Sequence, residues 1–205
     1  VEAFYRIVTS GGRPIEAIAI NAGIGLGGKF WETDIEKEMK LINLNVMSSA
    51  HLAKRVVQDM VKRGQGGKIL FTSSIAAEIP GTYSAVYNAS KAFIHSLAEA
   101  LHYELKEKGI TVTALQPGPT DTNFFERAEM MDTKVGIQKK DHPAEVAKLG
   151  FQALMDGKDH VIAGSLKTRL KNAANDLIPE QTKAKMHAKM TKPGSAAGVK
   201  KEDVV

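Results

Sequence analysis

The 205-residue sequence contains no cysteine and no long apolar run. Without cysteine it forms no disulfide and offers neither a thiolate nucleophile nor a sulfur ligand for a metal, so redox chemistry requires a cofactor. No apolar run approaches the roughly eighteen residues that span a bilayer, and no charged-then-apolar leader precedes a small-residue cleavage site. We therefore predict a soluble, cytoplasmic protein without a membrane partner. No metal site is predicted, because four histidines lack ligand spacing with nearby carboxylates: His51, His95, His102 and His160.

The formal net charge of +5 is concentrated at the C-terminal end. Residues 165 to 205 hold nine Lys or Arg and four Asp or Glu, a surplus of five, so the rest of the chain is neutral overall. The end of this segment is poor in large apolar residues, which predicts a mobile tail. No aromatic residues interleave its lysines, so a nucleic-acid partner is not favoured. We predict one domain over residues 1–165 and a basic extension over residues 166–205.

Four short apolar runs alternate with segments of helical periodicity. The runs lie at 16 to 21, 67 to 74, 110 to 118 and 160 to 164, and the helical segments at 34 to 62, 84 to 107 and 143 to 156. The order β-α-β-α-β-α-β predicts an α/β fold, a Rossmann-like doubly wound parallel sheet with helices on both faces. Ligands of such folds bind beyond the carboxyl ends of the strands, so the residues that follow each run are candidates for chemistry.

The stretch NAGIGLGG, from Asn21 to Gly28, follows the first run and contains the GxGxxG spacing of a dinucleotide-binding turn. That function requires a helix that opens at the last glycine and an acidic residue about twenty residues later. Instead, Lys29 to Thr33 is a poor helix start, and the sequence around position 43 has no acidic residue. We therefore interpret the stretch as a glycine-rich loop with a different purpose.

Tyr87 and Lys91 lie four residues apart at the start of the second predicted helix, so one helical face presents both. An ammonium about 4 Å away supplies the roughly 4 kcal/mol needed to lower a phenol pKa by about three units. Ser74 ends a predicted strand thirteen residues before Tyr87, where it can donate a hydrogen bond to a carbonyl while Tyr87 transfers a proton. The pair alone is equally consistent with an exposed helical pair, and Ser74 favours the catalytic interpretation.

These residues resemble the catalytic tetrad of the short-chain dehydrogenase/reductase family. Ser74, Tyr87 and Lys91 match three of its members, and Asn45 in LNVMSSAHLAK matches the helix asparagine that holds a proton-relay water. Spacing alone favours Asn45 as a structural kink or a satisfied core amide, so its proton-relay role rests on the resemblance. The resemblance covers residues 1 to about 165, and it implies that the predicted strands are strands 4 to 7 of the family fold.

The resemblance also assigns the glycine-rich loop and the end of the third run. Asn21, Ala22 and Gly23 are similar to the family's Asn-Ala-Gly turn after the fourth strand, which borders the cofactor site. Lys91 is implied to bind the ribose hydroxyls as well. The residues implied to contact or border the cofactor are Asn21, Ala22, Gly23, Tyr87, Lys91, Pro117, Gly118 and Thr120.

The implied activity is an NAD(P)-dependent oxidoreductase that moves hydride between nicotinamide and a small carbonyl or alcohol substrate, as a homo-dimer or homo-tetramer. NAD and NADP remain equal alternatives. Segment 120 to 142 is implied to be a substrate lid whose apolar residues suit a hydrophobic substrate, although each of these residues singly is equally consistent with core packing. Two alternatives from other classes stay open: a non-catalytic nucleotide-binding or regulatory protein of the same fold, and a nucleic-acid binder with a basic tail.

One family feature is missing. The TGxxxGxG turn after the first strand and the second-strand end that selects NAD or NADP do not occur in these 205 residues. We therefore expect the family's first three strands to precede Val1. We also expect residues 1 to 205 alone to bind the cofactor weakly and not to form an autonomous enzyme.

Overall fold

The computed structural model describes residues 1–164 and 178–199, which contain a four-stranded parallel sheet with helices on both faces. The strands, in the spatial order β1-β2-β3-β4, are β1 (Ala17–Ile20), β2 (Gly67–Thr72), β3 (Ile110–Pro117) and β4 (His160–Ala163). All four coincide with predicted apolar runs. The predicted α/β fold, a Rossmann-like parallel sheet, is therefore confirmed.

Eight helices of the described residues surround the sheet. They are α1 (Glu2–Thr9), α2 (Ile35–Ile42), α3 (Ser49–Arg63), α4 (Ala85–Leu105), α5 (Phe124–Arg127), α6 (Lys134–Ile137), α7 (Pro143–Met155) and α8 (Glu180–Thr191). A short 3₁₀ turn, Ile75–Glu78, follows β2. None of the described helices is both long and apolar enough to cross a membrane.

The central strands β2 and β3 are buried on both faces because successive side chains point to opposite sides of a sheet. On one face Phe71 and Val112 pack with α3 and α4 in the larger core. On the other face Leu70 and Leu115 pack against Val146 of α7. Full burial of one such side chain stabilises the fold by about 1.5–3 kcal/mol. The core thereby fixes the carboxyl ends of β2 and β3 side by side.

The predicted helix over residues 34 to 62 contains a π-helical segment, Asn43–Ser48, between α2 and α3. This whole helical region begins at Asp34, whose carboxylate accepts a hydrogen bond of 2.8 Å from the amide of Glu36. It ends at Gly64, which has the left-handed φ of 66° that favours glycine. The wide π turn buries Asn45, which is 1% exposed. Such segments are frequent at functional sites.

The basic extension predicted over residues 166–205 is described only from residue 178 to residue 199. In this part α8 lies against the loop before α4, and the residues after α8 bond to the segment between α5 and α6 through Asp132. The extension thus contributes a docked helix. The predicted mobile end falls partly on residues 200–205, which lie outside the described residues.

Candidate active site

A cavity of about 1380 Å³ opens beyond the carboxyl ends of β2 and β3. This is the edge at which the strand-end argument places the chemistry. The predicted site residues that line the cavity are Asn21, Gly23, Ser74, Tyr87, Lys91, Pro117, Gly118 and Thr120. Of the two others, Ala22 is exposed to solvent and Asn45 is buried next to Gly23. The structure therefore brings most of the predicted residues to one cavity.

Ser74 and Tyr87 meet at the cavity wall. Tyr87 lies in the first turn of α4, where its ring is partly exposed to the cavity and packs 5.3 Å from the ring of Phe124. Its hydroxyl is enclosed by protein, and this burial raises the pKa of Tyr87 to about 12, while a hydrogen bond with the Ser74 side chain acts in the opposite direction. The phenol is therefore protonated at neutral pH. The Ser74 oxygen also accepts a hydrogen bond of 3.1 Å from the amide of Ala76.

Lys91 is buried one turn further along α4. Its ammonium donates a hydrogen bond of 2.8 Å to the carbonyl of Thr72 and lies 5.9 Å from the centre of the Tyr87 ring. Burial lowers the pKa of Lys91 to about 8. The prediction that Lys91 brings the pKa of Tyr87 below its usual value is wrong for this geometry, because burial of the phenol raises that pKa instead.

Gly23 lies where Lys91 and Asn45 approach the loop after β1. A Cβ atom at this position would come within 3.2 Å of the Lys91 ammonium and 3.3 Å of the Asn45 amide oxygen. Both contacts are tighter than ordinary van der Waals separations. The hydrogen atom of glycine therefore leaves the space that a ligand beside Lys91 requires.

Asn45 anchors the glycine-rich loop by hydrogen bonds to its backbone. Its Oδ1 accepts a hydrogen bond of 2.9 Å from the amide of Ile24, and its Nδ2 donates to the carbonyl of Ile24 at 2.9 Å. The second amide hydrogen reaches the hydroxyl of Ser90 on α4 at 3.0 Å. The π segment thus fixes the glycine-rich loop against the helix that carries Tyr87 and Lys91.

Asn88, next to Tyr87, is a site residue that sequence reasoning missed. Its Nδ2 donates to the carbonyls of Ala76 and Ile79, at 3.0 and 3.1 Å, and its Oδ1 accepts from the Ser84 hydroxyl at 2.9 Å. The side chain is buried, at 3% exposed. It therefore ties the segment between β2 and α4 to the first turn of α4. The available signal is an asparagine beside the tyrosine in the first turn of the helix.

The end of β3 forms the wall opposite Ser74. The amide of Gly118 donates to the carbonyl of Ala163 in β4 at 2.9 Å, and the Thr120 hydroxyl donates to the carbonyl of Gly118 at 2.9 Å. On the neighbouring strand, the Asn21 side chain accepts a hydrogen bond of 2.8 Å from the Thr72 hydroxyl. These bonds fix the strand ends that the resemblance assigns to the cofactor.

The glycine-rich loop receives side chains of segment 120 to 142. A Cβ atom at Gly25 would lie 2.5 Å from Phe124 Cζ, and one at Gly27 would lie 2.4 Å from Met130 Cγ. No helix begins at Gly28, and the next helix along the chain is α2. Gly25 and Gly27 therefore permit close packing of α5 and the residues that follow it, and Gly28, the last glycine of the GxGxxG spacing, has a positive φ of 136° that favours glycine.

The other wall of the cavity comes from α8. One face of this helix presents the cavity-lining residues Lys183, Met186, His187, Met190 and Thr191. Three hydrogen bonds tie that helix to Thr82, in the segment between β2 and α4: the Thr82 hydroxyl donates to the carbonyl of Ala184, and the carbonyl of Thr82 accepts from His187 and Thr191. The cavity is thus enclosed by α5, α6 and α8.

Comparisons with known proteins agree with this architecture. A sequence model of the short chain dehydrogenase family matches residues 1–132. The chain is 31% identical over 149 residues to a 3-dehydrosphinganine reductase of Danio rerio, covering 70% of this chain and 45% of the relative. It is 28% identical over 160 residues to a cyclic-di-GMP-binding biofilm dispersal mediator protein of Escherichia coli K12, covering 75% of this chain and 65% of the relative. The chain thus spans less than two thirds of the length of either relative.

Among solved structures, a short-chain dehydrogenase from Sphingobium yanoikuyae in complex with NADPH matches with a TM-score of 0.71 and 26% sequence identity. The match covers 85% of this chain and 69% of that chain. The family match and the shared fold together show that the chain belongs to the short-chain dehydrogenase/reductase family.

Proposed function

We propose that the protein is an NAD(P)-dependent oxidoreductase that acts on a carbonyl or alcohol group, with Tyr87 as the general acid or base. The observation that carries this proposal is that Ser74, Tyr87 and Lys91 line one cavity at the carboxyl end of β2. Two hydroxyl groups that converge on one point can hold one substrate oxygen between them. Membership of a family of dehydrogenases supports the same chemistry.

The two hydroxyl groups have different tasks in this proposal. Burial keeps Tyr87 protonated at neutral pH, so it donates its proton to the oxygen of a bound carbonyl. The Ser74 hydroxyl holds the same oxygen and orients it. The protonated phenol favours reduction, in which the carbonyl carbon gains a hydride and the carbonyl oxygen gains the proton of Tyr87.

The residues around Gly23 and the end of β3 suit a nicotinamide nucleotide. Bound NAD(P) would supply the hydride in reduction and accept it in oxidation. Lys91 would hold the ribose hydroxyls, since among the described residues only Thr72 accepts a hydrogen bond from its ammonium, and Gly23 leaves room beside it. The other residues that we assign to this cofactor are Asn21, Ala22, Pro117, Gly118 and Thr120.

Asn45 contributes to this mechanism through position. Both of its amide hydrogens are engaged, and one bond of Oδ1 is taken by Ile24, so only the second lone pair of Oδ1 is left in the side chain for a proton-relay water. We propose that Asn45 holds Gly23 and α4 in register around Lys91. The relay remains a proposal from the family resemblance.

We further propose that residues 1–165 form the Rossmann-like part of the enzyme and that segment 166–205 adds α8 as a substrate wall. A homo-dimer or homo-tetramer remains our proposal for the assembly. Exposed apolar side chains on two outer helices suit such contacts, namely Phe93 on α4 and Phe151 and Met155 on α7.

The substitution Tyr87→Phe tests the chemistry. We expect turnover of ketones with NADH or NADPH to fall by several orders of magnitude, because the variant lacks the transferable proton, while cofactor binding and folding persist. Tyr103→Phe is the matched control, since Tyr103 lies on the same helix and is 83% exposed. Wild-type turnover in Tyr87→Phe would refute the assignment.

The second candidate function is a non-catalytic nucleotide-binding or regulatory protein. The Escherichia coli relative favours it, because that relative is described as a cyclic-di-GMP-binding protein. Titration with cyclic-di-GMP and with NADPH separates the two candidates. Micromolar binding of cyclic-di-GMP together with the absence of turnover on ketone substrates would favour the regulatory function.

A further inference from the structure

We infer that the cavity takes a substrate with an apolar body and a separate anionic group, and that Lys183 of α8 is the residue that recognises the anion. This inference rests on the proposed function, since it names the substrate class of the same site. The anionic group takes no part in the reaction. Its role is to place the carbonyl near Ser74 and Tyr87.

The charge of the cavity lining is the first observation. The described residues contribute a single carboxylate, that of Asp141, and six cationic side chains: Lys91, Arg127, Lys134, Lys139, Lys140 and Lys183. A cleft lined by one sign of charge focuses its electrostatic field and raises the local concentration of ligands with the opposite charge. The cavity therefore attracts anions.

The environment of Lys183 is the second observation. Its side chain is only 8% exposed, and its ammonium donates a hydrogen bond of 2.7 Å to Glu180, whose side chain is 67% exposed. The two partners thus differ in exposure, because the Lys183 ammonium is buried at the cavity and the Glu180 carboxylate lies in solvent. An ammonium has three hydrogens, and among the described residues only Glu180 accepts a hydrogen bond from the Lys183 ammonium. The enclosed cation therefore has capacity for a ligand.

The remaining lining describes the body of the substrate. On α8, Met186 and Met190 follow Lys183 at intervals of three and four residues, so they lie on the same face of the helix. Across the cavity, Phe124 and Met130 supply further apolar surface. Methionine side chains adapt to varied apolar shapes. A chain or ring system that ends in a carboxylate or phosphate matches this combination.

The test compares two probes of equal length, decanoate and decanol, by calorimetric titration of the full-length protein in the presence of NADPH. In Lys183→Met we expect the dissociation constant of decanoate to rise by at least about tenfold, with that of decanol unchanged. In Glu180→Gln we expect decanoate to bind more tightly, because the competing carboxylate is removed. Lys183→Arg keeps the charge and should retain decanoate binding.

The control variants are Lys185→Met and Lys189→Met, which remove the same charge from exposed positions of α8. Both should leave the decanoate constant unchanged. Equal loss in all three lysine variants would overturn the inference, because it would indicate a general effect of net charge. A loss of NADPH binding in Lys183→Met, with decanoate unaffected, would also overturn it, because the cation would then serve the cofactor phosphates.

The inference and the proposed function fail separately. Turnover of neutral ketones that depends on Tyr87, together with unchanged decanoate binding in Lys183→Met, contradicts the inference alone. Selective loss of decanoate binding in a protein without turnover supports Lys183 as the anion site and contradicts the oxidoreductase. Circular dichroism of each variant establishes that α8 and the sheet are intact.

Discussion

At the scale of single residues, burial shifts the pKa values of Lys91 and Tyr87, both on α4, in opposite directions. It lowers the pKa of Lys91 to about 8 and raises the pKa of Tyr87 to about 12. Both shifts favour the uncharged form, as expected where water is excluded. At neutral pH the site therefore combines a neutral phenol with an ammonium whose burial costs free energy. That ammonium is stabilised by the carbonyl of Thr72 and by any electron-rich ligand beside it.

Lys91 gives the protein a specific dependence of stability on pH. Its folded pKa, about 8, lies below the ordinary value of 10.5, so between these values the unfolded chain binds a proton that the folded protein lacks. The free energy of unfolding therefore rises with pH, by about 2 kcal/mol between pH 7 and 9.5. Tyr87 acts at higher pH, where its raised pKa lowers stability between about pH 10 and 12.

Urea unfolding of the wild type and of Lys91→Met at pH 7 and pH 9.5 measures this contribution. We expect the gain of about 2 kcal/mol in the wild type and its loss in Lys91→Met, because methionine has no proton to release. Lys54→Met on α3, an exposed position, controls for the change of net charge. Parallel pH profiles in all three proteins would show that Lys91 is not held in a low-polarity environment.

The sequence predicts the catalytic candidates of this site but not the residue that positions them. Ser74, Tyr87 and Lys91 are accessible from sequence because helical spacing and the strand-end rule bring them together without knowledge of distant contacts. Asn88 is not accessible in this way, since its partners are backbone carbonyls whose positions depend on the fold of the loop before α4. The direction of the Tyr87 pKa shift is hidden too, because burial of the phenol outweighs its hydrogen bond with Ser74.

At the scale of elements, the segment between β2 and α4 is held from both sides. The Asn88 side chain donates hydrogen bonds to its carbonyls at Ala76 and Ile79, and α8 is hydrogen-bonded to Thr82. This segment connects Ser74 to Tyr87 along the chain, so its conformation determines how closely the two hydroxyl groups approach. We therefore regard Asn88 as a positioning residue for the proposed reaction.

We expect Asn88→Ala to lower turnover of ketone substrates by about tenfold to a hundredfold, through a wider separation of Ser74 and Tyr87. The variant leaves the carbonyls of Ala76 and Ile79 without their buried donor, at about 1–3 kcal/mol for each. The pH dependence of turnover should shift as well, because the Ser74 hydrogen bond that lowers the pKa of Tyr87 is weakened. A stability loss with unchanged turnover and pH profile in the folded fraction would contradict the positioning role.

Asn43→Ala is the matched control for this prediction. Asn43 lies in the π segment and is exposed. The same truncation at this position should leave both turnover and its pH profile unchanged. The comparison separates the loss of the loop contacts from the general effect of removing an amide side chain.

The strands and long helices are largely predictable from the sequence, whereas the π segment and the short helices are not. Apolar runs and caps place the four strands and α4 and α7 within a few residues of their observed bounds. The π segment leaves no periodic signal, because one wide turn hardly changes the pattern of the long helix around it. The short helix α5 depends on contacts with the glycine-rich loop, which lies about a hundred residues away in sequence.

At the scale of the whole molecule, the described residues form a parallel sheet and helices that line the cavity at one edge of that sheet. The sheet places Ser74 and the end of β3 at one edge, and α5, α6 and α8 enclose the cavity above them. Composition predicts the extension as a basic tail, since its lysines dominate the count of charges. It does not predict that α8 docks, because α8 has a weakly amphipathic sequence and is held by hydrogen bonds to Thr82.

Removal of α8 therefore separates recognition from folding. We expect the full-length protein truncated after residue 178 to keep the unfolding cooperativity of the sheet, whose core contacts lie elsewhere. Its KM for apolar ketones should rise by at least about tenfold, because the methionine face of α8 no longer shields the substrate. An unchanged KM, measured against a chain that ends at residue 199, would show that α8 is not a wall of the working cavity.

The packing of Phe124 and Met130 against Gly25 and Gly27 also has an evolutionary consequence. A residue larger than glycine in the loop requires Phe124 or Met130 to shift or to be replaced by a smaller residue. We therefore expect substitutions in these two stretches, about a hundred residues apart, to be coupled. A new substrate preference acquired through segment 120 to 142 has to be compatible with a loop that also borders Lys91.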